Sequence, residues 1–128
     1  MQTNNVLAFN TALSAGELID ASVLGADVGL GWPVGVHKAV HAAVARIANG
    51  KTEDALWELL FEARLQAQEL ARKEPDASEL TVQAVVGIRR GMGAVVHAHM
   101  VVGVDETSNT PCIVLLKPAF LEPPGTPA

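Results

Sequence analysis

From Val36 the apolar residues fall at Val36, Ala39, Val40, Ala43, Val44 and Ile47, the i, i+3, i+4, i+7, i+8, i+11 series that predicts an amphipathic helix. Asn49-Gly50 ends it, and Thr52 is placed to cap a second helix, with Glu53 and Asp54 against the positive end of its dipole. The stripe of this second helix is Leu56, Leu59, Leu60, Ala63, Ala67 and Leu70, with Trp57 and Phe61 one turn apart beside it. Over residues 53–73 it would span about 30 Å, and Pro75 closes it. After Ser78 the period changes to two. Leu80, Val82, Ala84, Val86 and Ile88 alternate with Thr81, Gln83, Val85 and Gly87, as in a half-buried strand. Arg89-Arg90-Gly91-Met92-Gly93 then reverses the chain. A second strand places Ala94, Val96, Ala98, Met100, Val102 and Val104 on the apolar side, with His97 and His99 opposite. Asp105 to Thr110 reads as a solvated turn. Cys112 to Lys117 reads as a third strand that is apolar on both faces and therefore central or covered.

The N-terminal quarter is less regular. Residues 1–15 show no sustained period and read as a weakly specified lead-in. Leu18-Ile19 forms a short extended piece, and Asp20 or Ser22 can cap a short helix that stops at Gly29 with Leu30 as its apolar contact. Trp32 precedes Pro33 and is biased towards extended backbone. Residues 119–128 are rich in proline and form an extended tail. The expected fold is α+β: N-terminal helices, two of them long, pack on one face of a three-stranded antiparallel meander, and residues 16–118 make a single domain.

Composition narrows the function classes. Nine basic residues against fourteen acidic ones give a formal net charge of −5, which opposes a sequence-independent grip on phosphate backbones. No run of carboxylates suggests a nucleic-acid mimic. Apolar residues make up 49% of the chain and charged residues 18%, so some apolar surface is expected outside the core, available to a second copy or a partner. Cys112 is the only cysteine, which rules out an internal disulfide and a thiolate zinc cluster. No basic leader with an apolar run and no stretch of about 20 apolar residues is present, so a cytoplasmic protein with no membrane contact is expected.

The ordered series Leu18-Ile19-Asp20-Ala21-Ser22, Gly29, Trp32-Pro33-Val34, Ala39-Val40, Leu56-Trp57-Glu58-Leu59-Leu60, Ser78-Glu79-Leu80 and Cys112-Ile113-Val114-Leu115-Leu116-Lys117-Pro118 resembles a bacterial family. That family consists of small domains of unknown function carried on plasmids and integrative elements, sometimes near conjugation and anti-restriction genes. The resemblance covers most of the chain, from Leu18 to Pro118, and rests on the order and spacing of short motifs. It implies a mobile-element setting and brings no catalytic residues. His37 stands where the family has a Thr-like residue, which argues against a family-wide role for the histidines.

Four histidines are the most chemical-looking set. His37 and His41 are four apart on the expected helix, and His97 and His99 two apart on the expected strand. Each spacing puts two imidazoles on one side of an element, as transition-metal ligation requires. The two pairs nevertheless look outward in different directions, because His37 and His41 flank the helix stripe and His97 and His99 face away from the helices. Arg89 and Arg90, on a glycine-flanked hairpin, could clamp a carboxylate of a partner, although a solvated tip is the commoner role. Trp32, behind Gly29-Leu30-Gly31, is either a loop anchor or a contact residue. No nucleophile turn with a histidine and an acid is found, and Cys112 in an apolar strand behaves as a small hydrophobe.

The sequence therefore points to a non-enzymatic protein-binding accessory factor of a mobile genetic element, homodimeric and without cofactor. It would pair through the sheet face bearing Val85, Val95, His97, His99 and Val101, with Arg89, Arg90 and Trp32 as further contact residues. A counter-defence role, docking on a host CRISPR or restriction complex, is the concrete version of that reading. The alternative is a metal-binding protein or metal-dependent hydrolase using His37, His41, His97 and His99.

Overall fold

A computed structural model describes residues 5–48, 50–87 and 93–118. The long helix and the long ribbons lie where the periodicity puts them. One helix, α4, covers Thr52–Lys73, and two antiparallel strands, β4 and β5, cover Glu79–Val86 and Ala94–Asp105. Strand β6, Pro111–Leu116, is central: it lies between β5 and β3, Val34–His37. Three further elements precede these, β1 (Asn5–Leu7), α1 (Phe9–Ser14) and β2 (Leu18–Asp20), followed by α2 (Ser22–Val28); α3 covers Lys38–Ala48.

The expected three-stranded antiparallel meander is thus wrong. The sheet has six strands and is mixed, in the order β1-β5-β6-β3-β2, with β4 also on β5. Two of its pairs, β1 with β5 and β3 with β6, are parallel, and four helices accompany it. The physical reason is length. Strands of three or four residues cannot display a period, and parallel partners far apart in sequence leave no hairpin signal between them.

Strand β3 also takes residues from the helix expected to begin at Val36. Val34 and Val36 face the core, and the α3 helix starts only at Lys38. Thr52 is likewise the first residue of α4 and not its cap; Lys51 holds that position without a side-chain hydrogen bond. The short helix lies where expected and Gly29 closes it at φ 97°, but its cap position is Ala21, without a side-chain hydrogen bond; Asp20 Oδ1 accepts the N–H of the first helical residue, Ser22, at 2.9 Å.

Strand β5 is long enough to serve two partners on one edge. Glu79–Val86 pairs with the stretch from Val101 back to Ala94, and Asn5–Leu7 pairs with Gly103 to Asp105. The joint between β4 and β1 is stitched by Asn5 Nδ2, which donates to Ser78 Oγ at 3.1 Å, and by the Val102 N–H, which donates to the Ser78 carbonyl at 2.8 Å. Gly103 is required there, because a Cβ at that position would lie 2.4 Å from the Asn5 carbonyl oxygen.

Both faces of the sheet carry apolar layers, of unequal size. On the inner face α2, α3 and α4 bury Val40, Val44, Leu56, Leu59 and Leu60 against Val34, Val82, Met100, Ile113 and Leu115. On the outer face α1 covers a smaller cluster of Phe9, Leu18, Val101, Cys112 and Val114. Along β5 this shows directly. Its first half alternates buried Val96, Ala98 and Met100 with half-buried His97 and His99, whereas Val101, Val102 and Gly103 are all buried because α1 lies on the other side.

Candidate functional site

The part of the outer face that α1 leaves open is built from β4, the first half of β5 and the end of β6. Antiparallel register sets Val85 opposite Val95, Gln83 opposite His97 and Thr81 opposite His99, and His99 in turn lies opposite Leu116. Directly opposed residues point to the same side. The result is one strip: an apolar pair at the tip, then an imidazole beside an amide, then an imidazole beside a hydroxyl and a leucine. Val85 and Val95 are 46% and 47% exposed. His99 Nε2 lies 3.0 Å from Glu79 Oε1, which holds that ring towards the edge strand β4.

Strand β4 forms an open sheet edge, which helix α4 guards. Gln66 Nε2 donates to the Gln83 carbonyl at 2.8 Å, and Gln66 Oε1 accepts the Gln83 N–H at 3.3 Å. One side-chain amide thereby substitutes for a neighbouring strand. Glu58 Oε1 accepts the Gly87 N–H at 3.2 Å. The edge is thus blunted against strand addition, while the face beside it stays open.

The other expected contact residues are placed elsewhere. Val101 is only 7% exposed, under α1, and is not available as a contact residue. Trp32 is 37% exposed, but it precedes β3 at the end of the sheet where β6 begins, whereas Val95 lies beyond the end of β6. It does not join the strip. Arg89 and Arg90 lie outside the described residues. Trp57 and Phe61 stack with centroids 5.2 Å apart, and Trp57 Nε1 donates to Asp27 at 2.8 Å, so this aromatic shoulder ties α2 to α4.

No protein-family model, curated protein or solved structure matches the chain.

The four histidines do not form one metal-holding group among the described residues. His37 ends β3 instead of sitting on a helix, so its expected i, i+4 relation to His41 does not exist. Its Nδ1 accepts the Ala39 N–H at 3.0 Å, serving the start of α3, and its Nε2 is 3.8 Å from Glu17 Oε2. Among the described residues, no group of three or more His, Cys, Asp or Glu side chains is arranged to hold a metal ion.

The residue that sequence reading missed is Asp105. It is 2% exposed and accepts from every side. Asn10 N–H and Nδ2 reach it at 2.9 and 3.1 Å, Thr107 Oγ1 at 2.6 Å and the Ser108 N–H at 2.9 Å. The Thr107 hydroxyl, then the Asn10 and Ser108 N–H groups, hold its carboxyl well below the usual carboxylate range. The side chain caps the start of α1 and closes the β5–β6 turn, so it latches the cover of the outer face to the sheet. A signal was present: an Asp followed at two and three residues by Thr and Ser is a turn that hydrogen-bonds itself. The long-range arm to Asn10 has no sequence signature. Burial pushes the Cys112 thiol up, with the Asp105 charge as a second cause, in keeping with an inert thiol.

Proposed function

We propose that the protein is a non-enzymatic binding module that pairs with a second copy of itself through the open strip of its outer sheet face, as an accessory factor of a mobile genetic element. The observation that carries the pairing is the exposed Val85–Val95 pair at the tip of a face whose remaining half α1 has covered. Large side chains left open beside a finished apolar layer mark a place where association removes water.

Charge supports a second copy as the occupant. The chain carries a net charge of −5, which would push two copies apart over most surfaces. On the strip the acid is Glu79, which already faces His99 at 3.0 Å, so two copies can meet there with little repulsion. A two-fold arrangement suits such a face, because each element of the strip meets its own counterpart. The mobile-element setting and a counter-defence role against a host complex are carried by the sequence resemblance alone.

Light scattering on a sizing column tests the pairing. A dimer mass at high micromolar concentration, reduced to the monomer mass by Val95→Lys with an unchanged circular dichroism spectrum, is the expected result. A monomer at that concentration, or a dimer indifferent to Val95→Lys, contradicts it.

A further inference from the structure

A cleft of about 430 Å³ opens between α3 and the adjoining ends of β5 and β6. Its helical wall is a row at i, i+4, i+8, made by Ala39, Ala43 and Ile47. The neighbouring row, Val40, Val44 and Ala48, is buried in the core, and Val40 also borders the cleft. The apolar stripe of α3 is thus wider than the core needs, and its surplus faces the cleft. Val95, Val96 and Pro118 complete the apolar lining.

The charged residues of the lining are Arg46 and Lys117, joined by the imidazole of His97, with no Asp or Glu among them. Neither Arg46 nor Lys117 forms an ion pair with another described residue. In a chain of net charge −5, a cleft walled by hydrocarbon and rimmed by two uncommitted cations is complementary to a negative head on an apolar body. Its volume lies within the range of small-ligand sites, which are mostly apolar with a few orienting polar groups.

We propose that this cleft binds a small amphipathic carboxylate, its apolar body against Ala43, Ile47 and Val96 and its carboxylate between Arg46 and Lys117. Arg46 offers a planar fork of donors suited to a carboxylate, and Lys117 a point charge that need not be oriented. This goes beyond self-association and does not depend on it.

Nuclear magnetic resonance titration of the full chain with sodium octanoate, below its micelle concentration, tests the assignment, with octylamine as the oppositely charged control. Octanoate is expected to shift the amides of Ala43, Ile47, Val96 and Lys117 to saturation, while octylamine leaves them unmoved. Replacing both cations, Arg46→Glu with Lys117→Glu, should weaken binding by about tenfold or more, as loss of charged hydrogen bonds implies. The milder Lys117→Gln should weaken it in the same direction. Unsaturable shifts scattered over the surface, an equal response to octylamine, or full affinity in Lys117→Gln overturns the proposal. Val95 lines both the strip and the cleft, so the two readings are separated by variants that touch only one of them: Arg46→Glu with Lys117→Glu should leave the dimer mass unchanged, and Val85→Lys should abolish the dimer while octanoate still binds.

Discussion

At the scale of single residues, Asp105 and Gly103 decide whether the N-terminal segment stays on the sheet. Asp105 joins Asn10 to Thr107 and Ser108 through one carboxylate. Because its folded-state pKa is depressed below the ordinary value of about 3.9, its contribution is complete above that pH and is lost as pH falls towards the folded value. Asp105→Asn should therefore lower Tm at pH 7. The gap to the parent protein should narrow as pH drops below about 4; a gap constant from pH 7 to pH 3 would mean that charge is not what the site uses. Gly103 acts by size. Any side chain there meets the Asn5 carbonyl, so Gly103→Ala should cost about 1–3 kcal/mol, the usual range for overpacking, read from urea denaturation. No loss would mean that β1 can move away freely.

At the scale of elements, legibility follows length and periodicity. Helix α4 and strands β4 and β5 were readable because Leu56, Leu59, Leu60 and Ala63 repeat at helical spacing while Val82, Ala84 and Val86 repeat at two. Strand β2 was legible only as the extended piece Leu18-Ile19, without its partners, and strand β1 and the strand identity of Val34–His37 were not readable, because three or four residues fit several patterns and Val36 also fits the helix that follows. The outward aim of His97 and His99 was visible in the alternation. The burial of Val101 was not, since only the three-dimensional return of α1 covers it. The coupling of α4 to the edge of β4 was equally hidden: a lone glutamine on a helix carries no signal. Gln66→Ala should uncover the Gln83 backbone, costing about 1 kcal/mol, the usual value of a hydrogen bond. It should also raise aggregation on heating, as an exposed edge does. Equal stability and equal aggregation in the variant would show that Gln66 guards nothing.

At the scale of the whole molecule, the sheet is covered fully on its inner face and half on its outer face. Among the described residues, no helix is long and apolar enough to cross a membrane. The open strip and the carboxylate cleft meet at Val95 and His97. Ligand in the cleft would thus lie next to a second copy on the strip. The most direct check on the central claim is a dilution series by nuclear magnetic resonance, following the methyl and amide signals of Val85, Val95, His97 and His99. Signals of the strip that move with concentration, while Leu13 within the α1 layer and Val114 beneath it stay fixed, are the expected result. Strip signals that stay fixed from low micromolar to millimolar protein would contradict it.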